Sequence, residues 1–210
     1  MPRSTCPTCL RAQSACICGW ITPLVHRVQV VILQHPMELT QAKGSGRLLH
    51  LSLPRSHLLV GETFDAAQLH DVWMHNTSEH QRAVLLYPST QDDPQLLPAT
   101  TAPDEWLQDP ASLCLVVLDA TWRKSRKMLH LNPWLQQLPR MALSDPPASR
   151  YYIRKAHGAH QLSTLEATCA ALAQLEGQAD LCAPLLNAFD GFVAQQSAYL
   201  PVGLLNPRQH

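Results

Sequence analysis

The stretch LVVLDATWRKSRKML, residues 115–129, decides how this chain is read. Its first half is apolar and β-branched, as in a strand buried on both faces. Its second half repeats apolar or small residues at helical spacing: Trp122, Ser125, Met128 and Leu129 share one face and Arg123, Lys124, Arg126 and Lys127 the other. Between the halves stand Asp119 and Thr121, at the carboxyl end of the strand. A strand that runs into a helix there is the unit of an α/β sheet, and such sheets bind ligands beyond the carboxyl ends of their strands.

Outward from this unit the pattern repeats. HRVQVVILQH (26–35), SHLLVG (56–61), RAVLLYP (82–88) and RMAL (140–143) read as further strands. GRLLHLSL (46–53) reads as a short helix, and residues 121–138 as a helix interrupted at Pro133. STLEATCAALAQLE (163–176) and APLLNAFDGFVAQQSAYL (183–200) read as two C-terminal helices. Residues 89–111 and 144–163 read as long polar loops. The expected fold is α/β, a mainly parallel sheet flanked by helices, with the strand ends at Gln34–Glu38, Asp119–Trp122 and Leu143–Asp145 close together.

The chain has 210 residues, 46% hydrophobic and 15% charged, enough for one well-filled core. It has no apolar run of membrane-spanning length, and its first residues lack an apolar signal core. A cytoplasmic protein is therefore expected. The formal net charge is zero, but residues 60–110 hold nine acids against one base and residues 120–157 hold eight bases against one acid. A basic segment of that density attracts polyanions, although it also fits a solvated helix face.

CPTCLRAQSACIC places Cys6, Cys9, Cys16 and Cys18 within thirteen residues. Four thiolates so close can surround one tetrahedral ion, and zinc suits four sulfurs; an iron–sulfur cluster is the competing occupant. A closed four-cysteine site is structural, so losing Cys6 is expected to cost stability rather than chemistry. This knuckle is taken as residues 1–25 and the main domain as 26–210. Cys114, Cys169 and Cys182 stand singly in apolar segments and read as core. His157 and His160 have helical metal-pair spacing, but no neighbouring cysteine or acid completes a ligand set, so no second metal is expected.

Each polar residue at a strand end has a bland reading and a functional one. Asp119 can cap the following helix or handle a proton. Trp122 can be core or a stacking surface. Ser163, Thr164 and Glu166 can form a capping box or receive a ligand's carboxylate and amine. Glu38 and Arg47 can pair with each other or line a pocket. His35 reads as structural. Tyr152, Arg154 and Lys155 can be a solvated loop or bind anions.

Five ordered motifs carry a family resemblance across nearly the whole chain: the cysteine knuckle, QHPMEL with GSGRLL, LDATW, YYIRK and LSTLEA. Together they resemble the DTW-domain family, and in particular its bacterial tRNA-uridine aminocarboxypropyltransferases. The resemblance implies a SPOUT-like fold with a C-terminal trefoil knot. It implies transfer of the 3-amino-3-carboxypropyl group of S-adenosylmethionine to N3 of uridine 47 in the tRNA variable loop. Asp119, Thr121 and Trp122 are then the expected catalytic residues. The donor is expected against Leu118, Asp119, Leu143, Leu162, Ser163, Thr164 and Glu166. The tRNA is expected against Glu38, Gly46, Arg47, Arg123, Lys124, Arg126, Lys127, Tyr152, Arg154 and Lys155. GSGR (Gly44–Arg47) departs from the Asn-Thr-Gly-Arg common in relatives, which removes one polar side chain. An RNA methyltransferase with the same donor and a non-catalytic zinc-bearing RNA-binding module are the competing functions.

Overall fold

A computed structural model describes residues 4–67, 82–88, 96–151 and 162–199. Five strands form one parallel sheet: β1 Gln29–Gln34, β2 Ser56–Val60, β3 Arg82–Leu86, β4 Leu113–Asp119 and β5 Arg140–Met141. Their spatial order is β2-β1-β4-β3-β5. β1 and β4 are the central pair, and every residue of both is buried. That is why both are written in continuous apolar runs rather than in alternation.

Helix α1 (Gly46–Ser52) leads from β1 outward to β2. Two helices follow β4: α3 (Trp122–Leu131) and α4 (Pro133–Gln137), which lead the other way to β5. The break between them falls at Asn132, just before the proline, where a prolyl ring cannot continue the preceding helix. The two connections depart in opposite directions from β1 and β4, so the switch point of the sheet lies between those strands, at Gln34 and Asp119.

The faces of β4 sort the helices. Leu113, Leu115 and Val117 join a core with Leu48 and Leu49 of α1 and with α5 (Thr164–Glu176) and α6 (Ala183–Ser197). Cys114, Val116 and Leu118 join a second core with Met128 and Leu129 of α3 and Leu135 of α4. α5 ends at Gly177, whose φ of 65° is the left-handed conformation that glycine tolerates best. Cys169 and Cys182 are buried with the other C-terminal core residues, as their sequence context suggests.

The segment expected to be a loop from 89 to 111 carries more structure than its composition implies. A short helix, α2 (Asp104–Leu107), and a β-bridge from Thr101 to Arg140 lie within it. The knuckle is packed onto the main core: Cys6, Cys9 and Ile17 share a cluster with Phe189 and Phe192 of α6. Gly191 lets Trp20 lie directly on α6, since a Cβ there would fall 2.2 Å from the indole ring. No helix among the described residues is long and apolar enough to cross a membrane.

Candidate active site at the carboxyl ends of β3, β4 and β5

A cavity of about 680 Å³ opens over these strand ends. Such a volume suits a cofactor-sized ligand. Its apolar walls include Leu86, Pro88, Leu118, Met141, Leu143 and Leu162, and its polar groups come from Tyr87, Thr121, Ser125, Ser163 and Thr164. Thr121–Trp122 and Ser163–Thr164 stand about forty positions apart in sequence and face the same space. Of the expected donor residues, Leu118, Leu143, Leu162, Ser163 and Thr164 line it, and so do Thr121, Trp122 and Arg123.

Trp122 is 47% exposed, so the helical pattern that put it on the buried face of α3 misplaces it. It opens the helix, one turn before the sheet-facing residues begin, and looks over the strand ends rather than onto the sheet. Its ring meets Tyr87 edge-on, with centroids 5.5 Å apart. Tyr87 Oη lies 3.2 Å from Ser125 Oγ, which donates to the Trp122 carbonyl at 3.0 Å. The guanidinium of buried Arg140 stands 5.4 Å from the centroid of the same phenol ring. Tyr87 was not singled out from sequence, although its place at the end of RAVLLYP marks it by the strand-end rule.

Asp119 is buried, but it is not among the lining residues of the cavity. Side chains alternate along β4, so Asp119 leaves the same face as Val117, which does line the cavity; Asp119 is turned instead toward Gln34 and α1. There its Oδ2 accepts from Gln34 Nε2 at 2.7 Å, across the β1–β4 register pair. The N-cap position of α3 is Thr121, whose side chain makes no capping bond. Gly46, the first residue of α1, packs against the carboxylate so closely that a Cβ would lie 2.2 Å from Oδ2.

Glu166 is also turned away from the cavity. It completes a capping box with Ser163, whose N–H donates to Oε2 at 2.7 Å. It also accepts from the Arg150 N–H at 2.6 Å and from Ser149 Oγ at 3.0 Å. The carboxylate that sequence assigns to a donor amine is thus already filled by its own chain. It pins the loop ahead of Tyr151, a cavity residue, to the start of α5. Replacing Glu166 by Ala should leave these donors unmatched and cost about 2–4 kcal/mol. A urea unfolding midpoint that does not move would refute that assignment.

Three of the four cations after Trp122 are engaged, Arg126 among them. Lys124 pairs with Glu38 at 2.8 Å and Lys127 with Glu62 at 2.7 Å. Glu38 therefore meets Lys124 rather than Arg47, and Arg47 donates instead to the Thr8 carbonyl at 2.7 Å. His35 is structural, as expected: Nδ1 accepts from the Met37 N–H, so Nε2 carries the proton that Glu62 accepts at 2.7 Å. Glu38, Arg47 and Gln34 line a second, smaller notch of about 50 Å³. Tyr152, Arg154, Lys155, His157 and His160 lie outside the described residues.

The four knuckle sulfurs all lie within 4.8 Å of one another, with Cys6–Cys18 at 3.6 Å and Cys9–Cys16 at 3.7 Å. Four thiolates around one zinc at about 2.3 Å stand about 3.8 Å apart, so the spacing fits a single tetrahedral ion. Backbone N–H groups of Cys9 and Thr8 hold the Cys6 thiol down to about 6. Desolvation, with hydrogen bonds among the sulfurs, pushes Cys18 up to about 12. A cation among them would let all four ionise.

The profile described as DTW domain matches residues 3–197. Three curated relatives, each named tRNA-uridine aminocarboxypropyltransferase 2, are similar to most of this chain. The Mus musculus protein is 27% identical over 179 residues, 83% of this chain and 57% of its own length. The Drosophila melanogaster protein is 28% identical over 183 residues, 85% and 69%. The Macaca fascicularis protein is 26% identical over 179 residues, 83% and 57%. The chain thus spans under two thirds of the mouse and macaque relatives, and these three relatives are animal proteins rather than the bacterial ones the motifs resemble. No solved structure matches. A match over residues 3–197, which takes in both the cavity's residues and the four-sulfur cluster, shows that this protein belongs to the DTW domain family.

Proposed function

We propose that this protein is a tRNA-uridine aminocarboxypropyltransferase. It transfers the 3-amino-3-carboxypropyl group of S-adenosylmethionine to N3 of uridine 47 in the tRNA variable loop and releases methylthioadenosine. The observation that carries the reading is the convergence of Thr121–Trp122 and Ser163–Thr164 on one cavity in a chain of this family.

The donor supplies a sulfonium leaving group, so the protein's main contribution is alignment. Leu118, Leu143 and Leu162 offer an apolar wall, and Ser163 and Thr164 stand at the start of α5, where a carboxylate is favoured. Trp122 stacks on the entering base. Asp119 serves from behind the wall, holding the turn from β4 into α3 through Gln34 and Gly46. In the transfer, N3 loses its proton and bonds the alkyl carbon, while the carbon–sulfur pair returns to sulfur. The knuckle holds one structural zinc ion on Cys6, Cys9, Cys16 and Cys18. A SPOUT-like C-terminal knot belongs to this reading on the family resemblance, and a cytoplasmic location on its tRNA substrate and reduced thiols.

Incubation with S-adenosylmethionine and unmodified tRNA, followed by nucleoside mass analysis, tests the activity. Aminocarboxypropyluridine with methylthioadenosine supports it. Methylated nucleoside with S-adenosylhomocysteine would make the protein a methyltransferase, and no transfer at all would leave an RNA-binding module. Arg123 and Arg126, both exposed on α3, are proposed to meet tRNA phosphates. Changing both to Gln should weaken binding and lower the salt slope by about one to two. An unaltered slope would remove that surface.

A further inference from the structure

The knuckle is wired into the sheet's switch point. Arg11 lies between the second and third cysteines of the motif, and its guanidinium leaves the knuckle altogether. Nη2 donates to the Gly44 carbonyl at 2.8 Å, Nη1 to the Ala42 carbonyl, and the group lies 5.3 Å from the Phe192 ring centroid. In the opposite direction, Arg47 of α1 donates to the carbonyl of Thr8, between Cys6 and Cys9. Two guanidinium groups therefore cross the same gap, one from each side. Cys9, Arg11, Gln34, Gly44 and Arg47 line the notch that separates the knuckle from the strand ends.

The N-cap of α1, Ser45, makes no side-chain capping bond. Two backbone bonds, from the Gly44 N–H to the Gln41 carbonyl at 2.9 Å and from the Gln41 N–H to the Glu38 carbonyl at 3.1 Å, close the turns before it. Yet two residues later Gly46 must meet the Asp119 carboxylate with no room for a methyl group. A contact so close needs a loop held from outside, and the fork of Arg11 on two carbonyls supplies that hold.

We infer that Arg11 is a positioning residue, which fixes the loop at 42–44, seats Gly46 on Asp119, and so makes the turn into Thr121–Trp122 depend on the knuckle. This rests on the reading of that turn as part of the transferase site. It also changes what the cysteines do. Losing metal should loosen α1 and slow transfer, as well as lower stability. Lysine cannot replace Arg11, because a single ammonium cannot fork to two carbonyls in one plane.

The test uses the full chain with Arg11→Ala and Arg11→Lys, reading metal content, amide exchange over residues 46–52, and kcat and KM. Both variants should keep one metal ion. Exchange over 46–52 should speed up at least tenfold, and kcat should fall by between about ten- and a hundredfold with little change in KM for S-adenosylmethionine. Arg11→Gln keeps a polar side chain with part of the aliphatic stem and serves should the alanine variant fail to fold. Chelation of the wild type should loosen the same amides, and added zinc should restore them. Unchanged exchange over 46–52 in the variants would overturn the link itself. Faster exchange with wild-type kcat would overturn its bearing on the site. Neither result touches the proposed activity, which the wild-type nucleoside assay decides separately.

Discussion

Asp119→Ala should lower kcat by about a hundredfold and leave tRNA affinity nearly unchanged, while Asp119→Asn should stay within about tenfold of wild type. The two variants separate two roles. The carboxylate accepts from Gln34 Nε2, packs against Gly46 and is not among the residues that line the cavity. Alanine leaves the buried amide donor of Gln34 without this acceptor, at a cost of about 1–3 kcal/mol, and frees the turn that carries Thr121 and Trp122. Asparagine keeps an oxygen that can accept the same bond, so the turn is retained without the charge. A residue that took the N3 proton itself would lose as much with asparagine as with alanine. Single-turnover transfer measured with saturating donor decides it. Equal losses in both variants would restore Asp119 as the base, and full activity in both would take it out of the site.

Gly46→Ala should be nearly as damaging. In an exposed helix this change is favourable, because alanine is the better helix former by about 1 kcal/mol. Here the new methyl would lie 2.2 Å from Asp119 Oδ2, 2.7 Å from its Cγ and 3.1 Å from Gln34 Nε2. All three atoms belong to buried side chains that are bonded to each other, so neither can swing aside cheaply. Overpacking of this kind costs about 1–3 kcal/mol, which exceeds the propensity gain. The expected result is a lower unfolding midpoint in urea together with loss of transfer, because α1 can relax only by moving off the switch point. A variant more stable than wild type and fully active would show that the loop has slack, and would weaken the role given to Arg11 as well.

Glycine at position 46 shows how far the sequence could be read. GSGR suggests a pliable loop, whereas the glycine is needed for close approach to a carboxylate seventy-three positions away. Local pattern has no access to that distance. The same holds for Glu166. LSTLEA announces a capping box, and the box is there, but the Arg150 and Ser149 partners that fill the remaining lone pairs come from a loop no periodicity describes.

Trp122 marks a different limit. Helical spacing placed it with Ser125, Met128 and Leu129, and those three are buried. Periodicity assumes that a helix faces one surface along its whole length. The first turn of α3 projects past the end of the sheet, so its apolar face meets a cavity instead of a core. Lys124 and Lys127 fell on the outer face as expected, but whether a surface cation is engaged depends on which acids the neighbouring loops bring, and Glu38 and Glu62 arrive from the ends of β1 and β2.

By itself the sequence determined the five strands and the main helices, though not α2, and also that the sheet is mainly parallel, that four cysteines form one cluster, and that polar residues gather at strand ends. Each of these follows from short-range regularities: apolar runs, helical period, cap residues and ligand spacing. Only the tertiary structure decided which way each polar side chain turns from its strand end. Val117 and Leu118 reach the cavity from opposite faces of β4, whereas Asp119, one step on, is held by Gln34 and packed against Gly46, partners that lie far from it in sequence.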